Sequence, residues 1–498
     1  MKNLFVKTLS LILMLCVLFS LASCATKKVS PNESKSSTAL DDDEFTDVDI
    51  TSNAQDPDIS GAESNSAGAT GNSTGTTSKK PSIDIKTDPS VQPKAITLTN
   101  KKVKIIGIDQ EQFRQSGSAA KYFKEKYGGE IEQIVTSSAE WFTKLQSMQM
   151  AGSPPDLVAA TSGGFPNQIP QNTLQTVDGI IDINHPVMKD LKSGYDKYAY
   201  KGQHYLVPWL YTATDFVFYN KKMLKDAALE DPFTLQKQGK WDWDMYKQYA
   251  KSLQQKSGNT VKVWGLSFIN HHQGYLIDST GKSTVTLDGS GLFKSNLRDS
   301  DIKRAVNFLD DLVNISKLAT VTDATSDLDE GRAAMQQAPY FFNDSYPKLK
   351  NAKNLGFAPM PKDPQNKNYY QSGAVLGYFV SKGKNINKQG IEAFIQSAVI
   401  SEKLKKVPAS DQYKENLAAM KAKWKTYTEA ELVAENDRFE EIFSLPTFFS
   451  PVDYVAPQKL YWECVGGLGI SKRPYDTVIE ELEPELNGKI KDLNDALK

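Results

Sequence analysis

Long apolar segments and an excess of either charge are missing from most of this 498-residue sequence. The apolar run from Thr8 to Leu21 has about 14 residues, whereas a helix that crosses a bilayer needs about 20. The 59 Lys and Arg residues nearly equal the 60 Asp and Glu residues. A protein that binds nucleic acid through its charge needs a strongly basic surface. We therefore expect no permanent transmembrane helix and no nucleic-acid partner, and the balance favours a small neutral ligand.

Cysteine is also scarce, and two of the three cysteines lie near the N-terminus. A basic start precedes the apolar run, and small residues follow it, an order typical of an export signal that is removed. Leu21-Ala22-Ser23-Cys24 resembles the bacterial lipobox, in which the cysteine receives a diacylglyceryl group and becomes the first residue after cleavage. The resemblance implies a signal peptide over residues 1–23, a lipid anchor on Cys24, and a position on the extracellular face of the membrane. An ordinary signal peptide that ends near a cysteine is the alternative.

The mature chain would keep one free thiol, Cys464, because Cys16 leaves with the signal and Cys24 carries the lipid. No intramolecular disulfide can then form. A chain of several hundred residues buries enough apolar surface to be stable without disulfides.

Aromatic residues are almost absent from residues 25–100, where Phe45 is the only one. Ser, Thr, Asp, Asn, Gly and Pro dominate this stretch, and it has no apolar periodicity. Such a composition cannot form a packed core and is typical of a disordered segment. Residues 24–100 are therefore predicted to be a lipidated, flexible tether with a reach of roughly 50 Å.

Strands and helices alternate from Lys101 onward. The pattern predicts strand Val103 to Ile108, helix Gln112 to Tyr127, strand Ile131 to Val135, helix Ala139 to Met150 and strand Leu157 to Ala160. This alternation indicates parallel βαβ units and an α/β fold, in which ligands bind at the carboxyl ends of the strands. Residues 101–498 exceed one ordinary core, so we expect two lobes.

Seven short motifs occur in a fixed order along this part of the chain. They are Pro155-Asp156-Leu157-Val158, the segment Lys201 to Pro208, the segment Asp215 to Lys221, the segment Trp241 to Tyr246, the segment Glu330 to Met335 with a strand at Ala338 to Phe342, the segment Gly356 to Pro361, and a strand from Gly373 to Lys382. Their order resembles family 1 extracellular solute-binding proteins, the maltose-binding-protein-like group. Residues 401–449 match poorly and are predicted to be inserted or divergent helices.

This resemblance implies a two-lobed, periplasmic-binding-protein-like fold of type II, with lobes joined by crossing hinge segments near Tyr211 and Ser372. One lobe would combine residues 101–211 with 371–405, and the other 212–370 with 406–498. The implied function is the substrate-binding component of an ABC importer. It would capture a mono- or oligosaccharide between the lobes and deliver it to permease subunits. The resemblance implies neither a cofactor nor catalysis.

The candidate ligand contacts are aromatic rings, which suit the apolar face of a pyranose, and polar side chains, which bond its hydroxyls. They are Asp109, Gln110, Glu140, Trp141, Thr161, Ser162, Trp209, Tyr211, Tyr340, Tyr461 and Trp462, and the resemblance places them near the cleft. The aromatic residues could instead pack the cores of the lobes, and the carboxylates could cap helices or lie in solvent.

Other chemistries find little support in the sequence. His271 and His272 are adjacent, which points them to opposite faces of a strand, and no further ligand follows at metal-binding spacing. Gly163-Gly164 lacks the Lys and Ser or Thr of a phosphate loop. No nucleophile elbow occurs, and Cys464 has no histidine close by in the sequence. We therefore expect no metal site and no enzyme. Two alternatives remain, a lipid-anchored sensory or adhesive protein with this fold and a secreted glycosidase, which would need two carboxylates flanking the bond.

Overall fold

The computed structural model describes residues 83–107, 117–137, 140–159, 165–269, 273–322, 326–339, 352–443, 445, 447–448 and 456–498. All of them belong to one unit of the chain, Ile50–Lys498. They form two large β-sheets and two two-stranded ones, with helices packed against the large sheets, which confirms the predicted α/β class. Cys24 and the predicted signal peptide lie outside the described residues.

Strands and helices are interspersed along the whole of the described chain. The strands are β1 (Lys102–Gly107), β2 (Glu130–Val135), β3 (Leu157–Ala159), β4 (Leu174–Gln175), β5 (Ala199–Tyr200), β6 (Gln203–His204), β7 (Leu206–Ala213), β8 (Asp215–Asn220), β9 (Gln255–Ser257), β10 (Thr260–Ile269), β11 (Val285–Leu287), β12 (Phe293–Ser295), β13 (Ala319–Thr322), β14 (Ala333–Pro339), β15 (Leu355–Pro359), β16 (Gln371–Ser381) and β17 (Thr447–Phe448). The helices are α1 (Ser118–Tyr127), α2 (Trp141–Met150), α3 (Lys192–Lys197), α4 (Lys221–Asp226), α5 (Pro232–Lys237), α6 (Trp243–Leu253), α7 (Ser300–Asp310), α8 (Lys388–Leu404), α9 (Asp411–Lys423), α10 (Glu429–Phe443), α11 (Ala456–Val465) and α12 (Tyr475–Ala496).

The first sheet defines lobe 1 and has the strand order β17-β16-β3-β1-β2, with β4 and β7 also paired to β16. β1 is parallel to β2 and β3, and β16 is antiparallel to β3 and β7. Its core holds Ile105 and Phe123 from the first part of the chain and Tyr378 and Phe394 from the part after residue 371. Lobe 1 is therefore built from two separate stretches of sequence.

The second sheet defines lobe 2 and has the strand order β13-β10-β14-β8-β15, with β9 paired to β10. β10 is parallel to β13 and β14, whereas β8 is antiparallel to β14 and β15. Phe218, Trp241, Tyr246 and Phe357 are all nearly or fully buried in its core. Strand β14 begins at Ala333, so the predicted strand start at Ala338 is wrong by five residues. The cause is that Ala333 to Met335 pair with β10, which turns this motif into a strand.

Short polar side chains fix where several helices of lobe 2 begin. Asn220, Asp242 and Asp299 stand at the N-caps of α4, α6 and α7, and each accepts a hydrogen bond from a backbone N–H of the first turn. Such a cap stabilises a helix by about 1 kcal/mol. The Trp-Asp-Trp motif therefore starts α6 through the Asp242 carboxylate, with both indoles buried beside it.

The end of the predicted tether is packed against lobe 1. Residues 83–99 include a 3-10 helix, Pro89–Val91, and the Val91 side chain is only 3% exposed. Ile83, Ile85, Ile96 and Leu98 also pack partly buried against the core of lobe 1. Residues 83–99 are therefore packed parts of the domain, and the tether end predicted at residue 100 is wrong. Polar residues lie between these apolar side chains, so the sequence shows no apolar periodicity there.

The segment after α8 forms helices α9 and α10, as predicted for residues 401–449, and then strand β17, which belongs to the sheet of lobe 1. Helix α10 itself adds to lobe 2. Leu432, Phe439 and Ile442 of α10 are buried in the core of that lobe. Arg438 donates to the Tyr219 hydroxyl (3.0 Å) and pairs with Asp231 (3.3 Å). Within the part of the chain that the structure describes, no helix has the length and apolar character needed to cross a bilayer.

Candidate functional site

Three connections between the two sheets lie together. β7 of lobe 1 continues into β8 of lobe 2 with only Thr214 between them, β16 returns the chain from lobe 2, and β17 follows α10. Ala213 pairs with Gly373, and Ser372 pairs with Phe448. Any rotation of one lobe against the other must therefore bend the chain at this crossing.

Hydrogen bonds tie these crossing segments to one another. The Thr214 N–H donates to the Ser372 carbonyl oxygen (3.0 Å), and the two hydroxyl oxygens are 2.5 Å apart. The buried Gln371 amide donates to the Ile442 carbonyl oxygen at the end of α10 (2.7 Å). The three connections thus form one bonded unit rather than independent linkers.

Charged side chains from both lobes meet this unit. Asp215, the first residue of β8, is fully buried. Asp278 belongs to the 3-10 helix Gln273–Thr280 of lobe 2, and its carboxylate accepts a hydrogen bond from the Ser372 hydroxyl. Lys197, the last residue of α3 in lobe 1, interacts electrostatically with Asp278. We call Lys197, Thr214, Asp215, Asp278 and Ser372 the crossing cluster.

Burial dominates the proton affinities in this cluster. It raises the pKa of Asp278 to about 7; the Ser372 hydrogen bond opposes that rise, the nearby Asp215 carboxylate adds to it, and Lys197 opposes it. Burial likewise lowers the pKa of Lys197, and the Asp278 charge opposes that decrease. Two carboxylates in one desolvated site disfavour each other's charge. Asp278 therefore exchanges its proton near neutral pH, at a point where the lobes meet.

Several predicted ligand contacts lie outside the described residues. They are Asp109, Gln110, Thr161, Ser162 and Tyr340, and each directly follows or nearly follows a described strand of one of the two sheets. Their position at the carboxyl ends of β1, β3 and β14 keeps the expectation of a site there. Their roles remain predictions.

Glu140 and Trp141 stand at the start of α2. The Glu140 carboxylate is exposed and accepts a hydrogen bond from the Ser137 hydroxyl (3.1 Å), the local bond of a helix start. Trp141 is 6% exposed and packs edge-on against Phe142 in an apolar cluster with Leu145. Trp141 is thus buried in an apolar cluster, and its contact with a ligand stays a prediction.

Trp209 and Tyr211 belong to β7. Trp209 is 6% exposed within the core of lobe 1. The Tyr211 hydroxyl donates to the Leu191 carbonyl oxygen and accepts from the Gly194 N–H, so its polar end is used inside the protein. The half-buried Tyr211 ring borders two apolar clusters and leaves part of its surface to solvent.

Tyr461 and Trp462 are neighbours on α11 in lobe 2. Tyr461 is 2% exposed, and its ring lies so close to Gly274 that a Cβ there would overlap it. Trp462 is only partly buried and packs at the edge of the core. Of this pair, Trp462 has the surface that a ligand could reach.

The structure does not gather the described candidates into one cluster. Trp141, Trp209 and Tyr461 belong to three different cores. Lys197 and Asp278 are not among the residues predicted from the sequence, because they are distant in the chain and meet only in the fold. Only Asp215, an acidic residue at the start of the apolar strand β8, could have indicated this polar cluster from the sequence.

The described part of the chain indicates neither a metal site nor a reactive thiol. There, no group of three or more His, Cys, Asp or Glu side chains could hold a metal ion. Cys464 is a free, buried thiol, and burial raises its pKa to about 12. A thiol with such a pKa stays protonated and is a poor nucleophile.

A comparison with known protein families gives one match for this chain. Residues 108–399, more than half of the chain, match the profile described as bacterial extracellular solute-binding protein. A comparison with curated protein sequences finds no match.

Solved structures share the fold at low sequence identity. The sugar-binding protein MalE from Xanthomonas citri aligns with a TM-score of 0.57 at 15% identity, over 78% of this chain and 98% of its own. UspC from M. tuberculosis gives 0.55 at 17% identity, over 79% and 100% of the two chains. UgpB from Mycobacterium tuberculosis, in complex with glycerophosphocholine, gives 0.52 at 16% identity, over 78% and 99%. The likeness supports the predicted two-lobed type II fold.

Proposed function

Because the chain belongs to the bacterial extracellular solute-binding proteins, we propose that it binds a carbohydrate between its two lobes and delivers it to the permease subunits of an ABC importer. The observation that carries this proposal is the crossing, where three connections between the lobes are bonded side by side. Such an arrangement allows the lobes to close on a solute by a hinge motion.

A carbohydrate is favoured over other solutes by the side chains available. The half-buried rings of Tyr211 and Trp462 offer apolar faces, and Asp109 and Gln110 follow β1 where polar contacts are expected. Among the similar structures, MalE from Xanthomonas citri is a sugar-binding protein, whereas UgpB was solved with glycerophosphocholine. The proposal assigns binding without turnover.

Anchoring through a lipid on Cys24 is the second part of the proposal. The lipobox-like Leu21 to Cys24 supports it, and the extracellular role of the family agrees with it. The change Cys24→Ser should release the protein from the membrane fraction and stop incorporation of labelled fatty acid. Continued sedimentation with membranes and continued labelling would contradict the anchor.

A thermal-shift screen tests the choice of solute. The full chain carrying Cys24→Ser is heated with a panel of neutral mono- and oligosaccharides, uronate oligosaccharides and glycerophosphocholine. A solute that binds only the folded protein raises its melting temperature, by an amount that grows with concentration over Kd. We expect at least one carbohydrate to do so at millimolar concentration. A shift with glycerophosphocholine alone would contradict the carbohydrate assignment and keep the solute-binding one.

A further inference from the structure

We propose that residues 83–99 form a strap that belongs to lobe 1 and fastens its two separate stretches of sequence together. The strap also joins the predicted tether to the domain, so the pull of a membrane anchor would enter the molecule through lobe 1. Lobe 2 would then be the lobe that moves when the crossing bends. This inference goes beyond the proposed function, because it does not depend on which solute is bound.

The apolar contacts of the strap are the first observation. Val91 is 3% exposed, and its 3-10 helix packs against another 3-10 helix of lobe 1, Pro186–Leu191. Four further aliphatic side chains of the strap are partly buried against the same core; they are Ile83, Ile85, Ile96 and Leu98. A disordered linker would leave such side chains in water, where each loses the stabilisation that burial gives.

Lys94 is the polar centre of the strap and makes three hydrogen bonds. Its backbone N–H donates to the Gln396 side-chain oxygen (2.7 Å), and its carbonyl oxygen accepts from the Tyr127 hydroxyl (2.9 Å). Its ammonium group donates to Glu392 (2.9 Å) and lies 4.0 Å from Asp182. The Glu392 hydrogen bond and charge raise the pKa of Lys94, so the ammonium stays charged. Backbone and side chain together fix one register of the strap.

The partners of Lys94 come from both stretches of lobe 1. Tyr127 and Asp182 precede the crossing, whereas Glu392 and Gln396 lie on α8 after the chain has returned from lobe 2. Thr99 extends this set by donating to the Gln389 side chain (3.2 Å). The strap therefore bridges two stretches of lobe 1 that residues 212–370 of lobe 2 separate.

The geometry also shortens the free tether. If the strap stays bound, the tether predicted from the sequence would comprise only residues 25–82, about 58 residues. A flexible chain of that length has a root-mean-square reach of roughly 40 Å, compared with roughly 50 Å for the tether expected from the sequence. The attachment point also becomes fixed on one face of lobe 1.

Hydrogen exchange and trypsin cleavage test the strap in the full chain carrying Cys24→Ser. The variant Val91→Asp places a charge in the buried position, Lys94→Ala removes only the ammonium contacts, and Lys86→Ala changes an exposed side chain of the strap as the matched control. Trypsin cleavage after Lys94 is measured for the parent, Val91→Asp and Lys86→Ala, and amide exchange is measured in α8 and in α6 of lobe 2.

We expect protected amides around Lys94 in the parent, cleavage after Lys94 at least tenfold faster in Val91→Asp, and faster exchange in α8 but not in α6. Lys94→Ala should give a smaller change of the same kind, and Lys86→Ala none. Parent amides that exchange as fast as those of a free peptide would overturn the strap. Val91→Asp and Lys94→Ala variants that leave α8 unchanged, or that loosen α6 as much as α8, would overturn its assignment to lobe 1.

Discussion

Asp278 is the residue whose surroundings have the clearest consequence for pH dependence. Its folded-state pKa is raised to about 7 from an ordinary value of 3.8, chiefly by burial. The folded chain therefore holds this proton at pH values where the unfolded chain has lost it. By linkage, Asp278 makes the fold less stable as pH rises from about 4 to about 7.

The change Asp278→Asn should remove this decrease in stability with rising pH. A difference of one in pKa between the folded and unfolded states is worth about 1.4 kcal/mol. Since the Asp278 side chain is partly exposed to solvent, we expect the free energy of unfolding of the parent to fall by on the order of 2 kcal/mol between pH 5 and pH 8. Urea unfolding at pH 5 and pH 8 measures the free energy, with the exposed Asp492→Asn as control. A pH slope in Asp278→Asn equal to that of the parent would refute the assignment.

A variant at Trp462 can show whether this indole contacts the ligand or only packs the core. If it stacks on the solute in a desolvated cleft, Trp462→Ala should cost about 2 kcal/mol of binding, roughly 30-fold in Kd, with little change in melting temperature. The buried Trp241→Ala should instead lower the stability by about 3 to 5 kcal/mol. Calorimetry with the carbohydrate selected by the screen measures both. Normal affinity with a much lower melting temperature in Trp462→Ala would make this indole part of the core.

Among the elements, α6 and β10 of lobe 2 depend on a close mutual approach. Gly265 of β10 faces the Ala250 carbonyl group of α6, and a Cβ at Gly265 would overlap that carbonyl oxygen. Backbone atoms cannot move aside as a flexible side chain can, so the helix itself would have to shift.

Gly265→Ala should therefore destabilise the protein by about 3 kcal/mol, the upper range for overpacked cores. Gly289→Ala is the matched control, because no atom lies within 4 Å of its new Cβ and its backbone is not left-handed. Chemical denaturation of both variants gives the comparison. Equal stability of the two variants would show that the position of α6 does not depend on a missing side chain at Gly265.

The elements of the fold could be predicted where the sequence pattern is local. Leu157 to Ala159 and Trp141 to Met150 form a strand and a helix within two residues of their predicted limits. The meeting of Lys197 with Asp278 could not be predicted, because neither residue has a local pattern and only the crossing brings them together. The strap was missed because its five aliphatic residues are spaced irregularly among polar ones.

In the molecule as a whole, α12 is an element that touches both lobes. Its start packs Val478 and Ile479 in the core of lobe 2, and its end places Ile490 and Leu497 in the cluster that holds Trp141 of lobe 1. The Lys201 ammonium donates to the Leu497 carbonyl oxygen (3.1 Å). Movement of the lobes must therefore also shift the end of α12 against lobe 1.

Closure of the two lobes on a solute can be followed as a change in an interlobe distance. Spin labels are attached to Lys126→Cys on α1 and Lys251→Cys on α6, both exposed, in the chain carrying Cys16→Ser and Cys24→Ser, where the remaining native thiol, Cys464, is buried. A second pair, Lys126→Cys with Lys384→Cys, lies within lobe 1 and serves as control.

Pulsed electron–electron double resonance then gives both distance distributions with and without the carbohydrate selected by the thermal screen, at saturating concentration. Hinge closure predicts that the interlobe distribution shifts by several ångströms and narrows, while the distribution within lobe 1 stays the same. An unchanged interlobe distribution at saturating carbohydrate would contradict closure of the lobes on the solute.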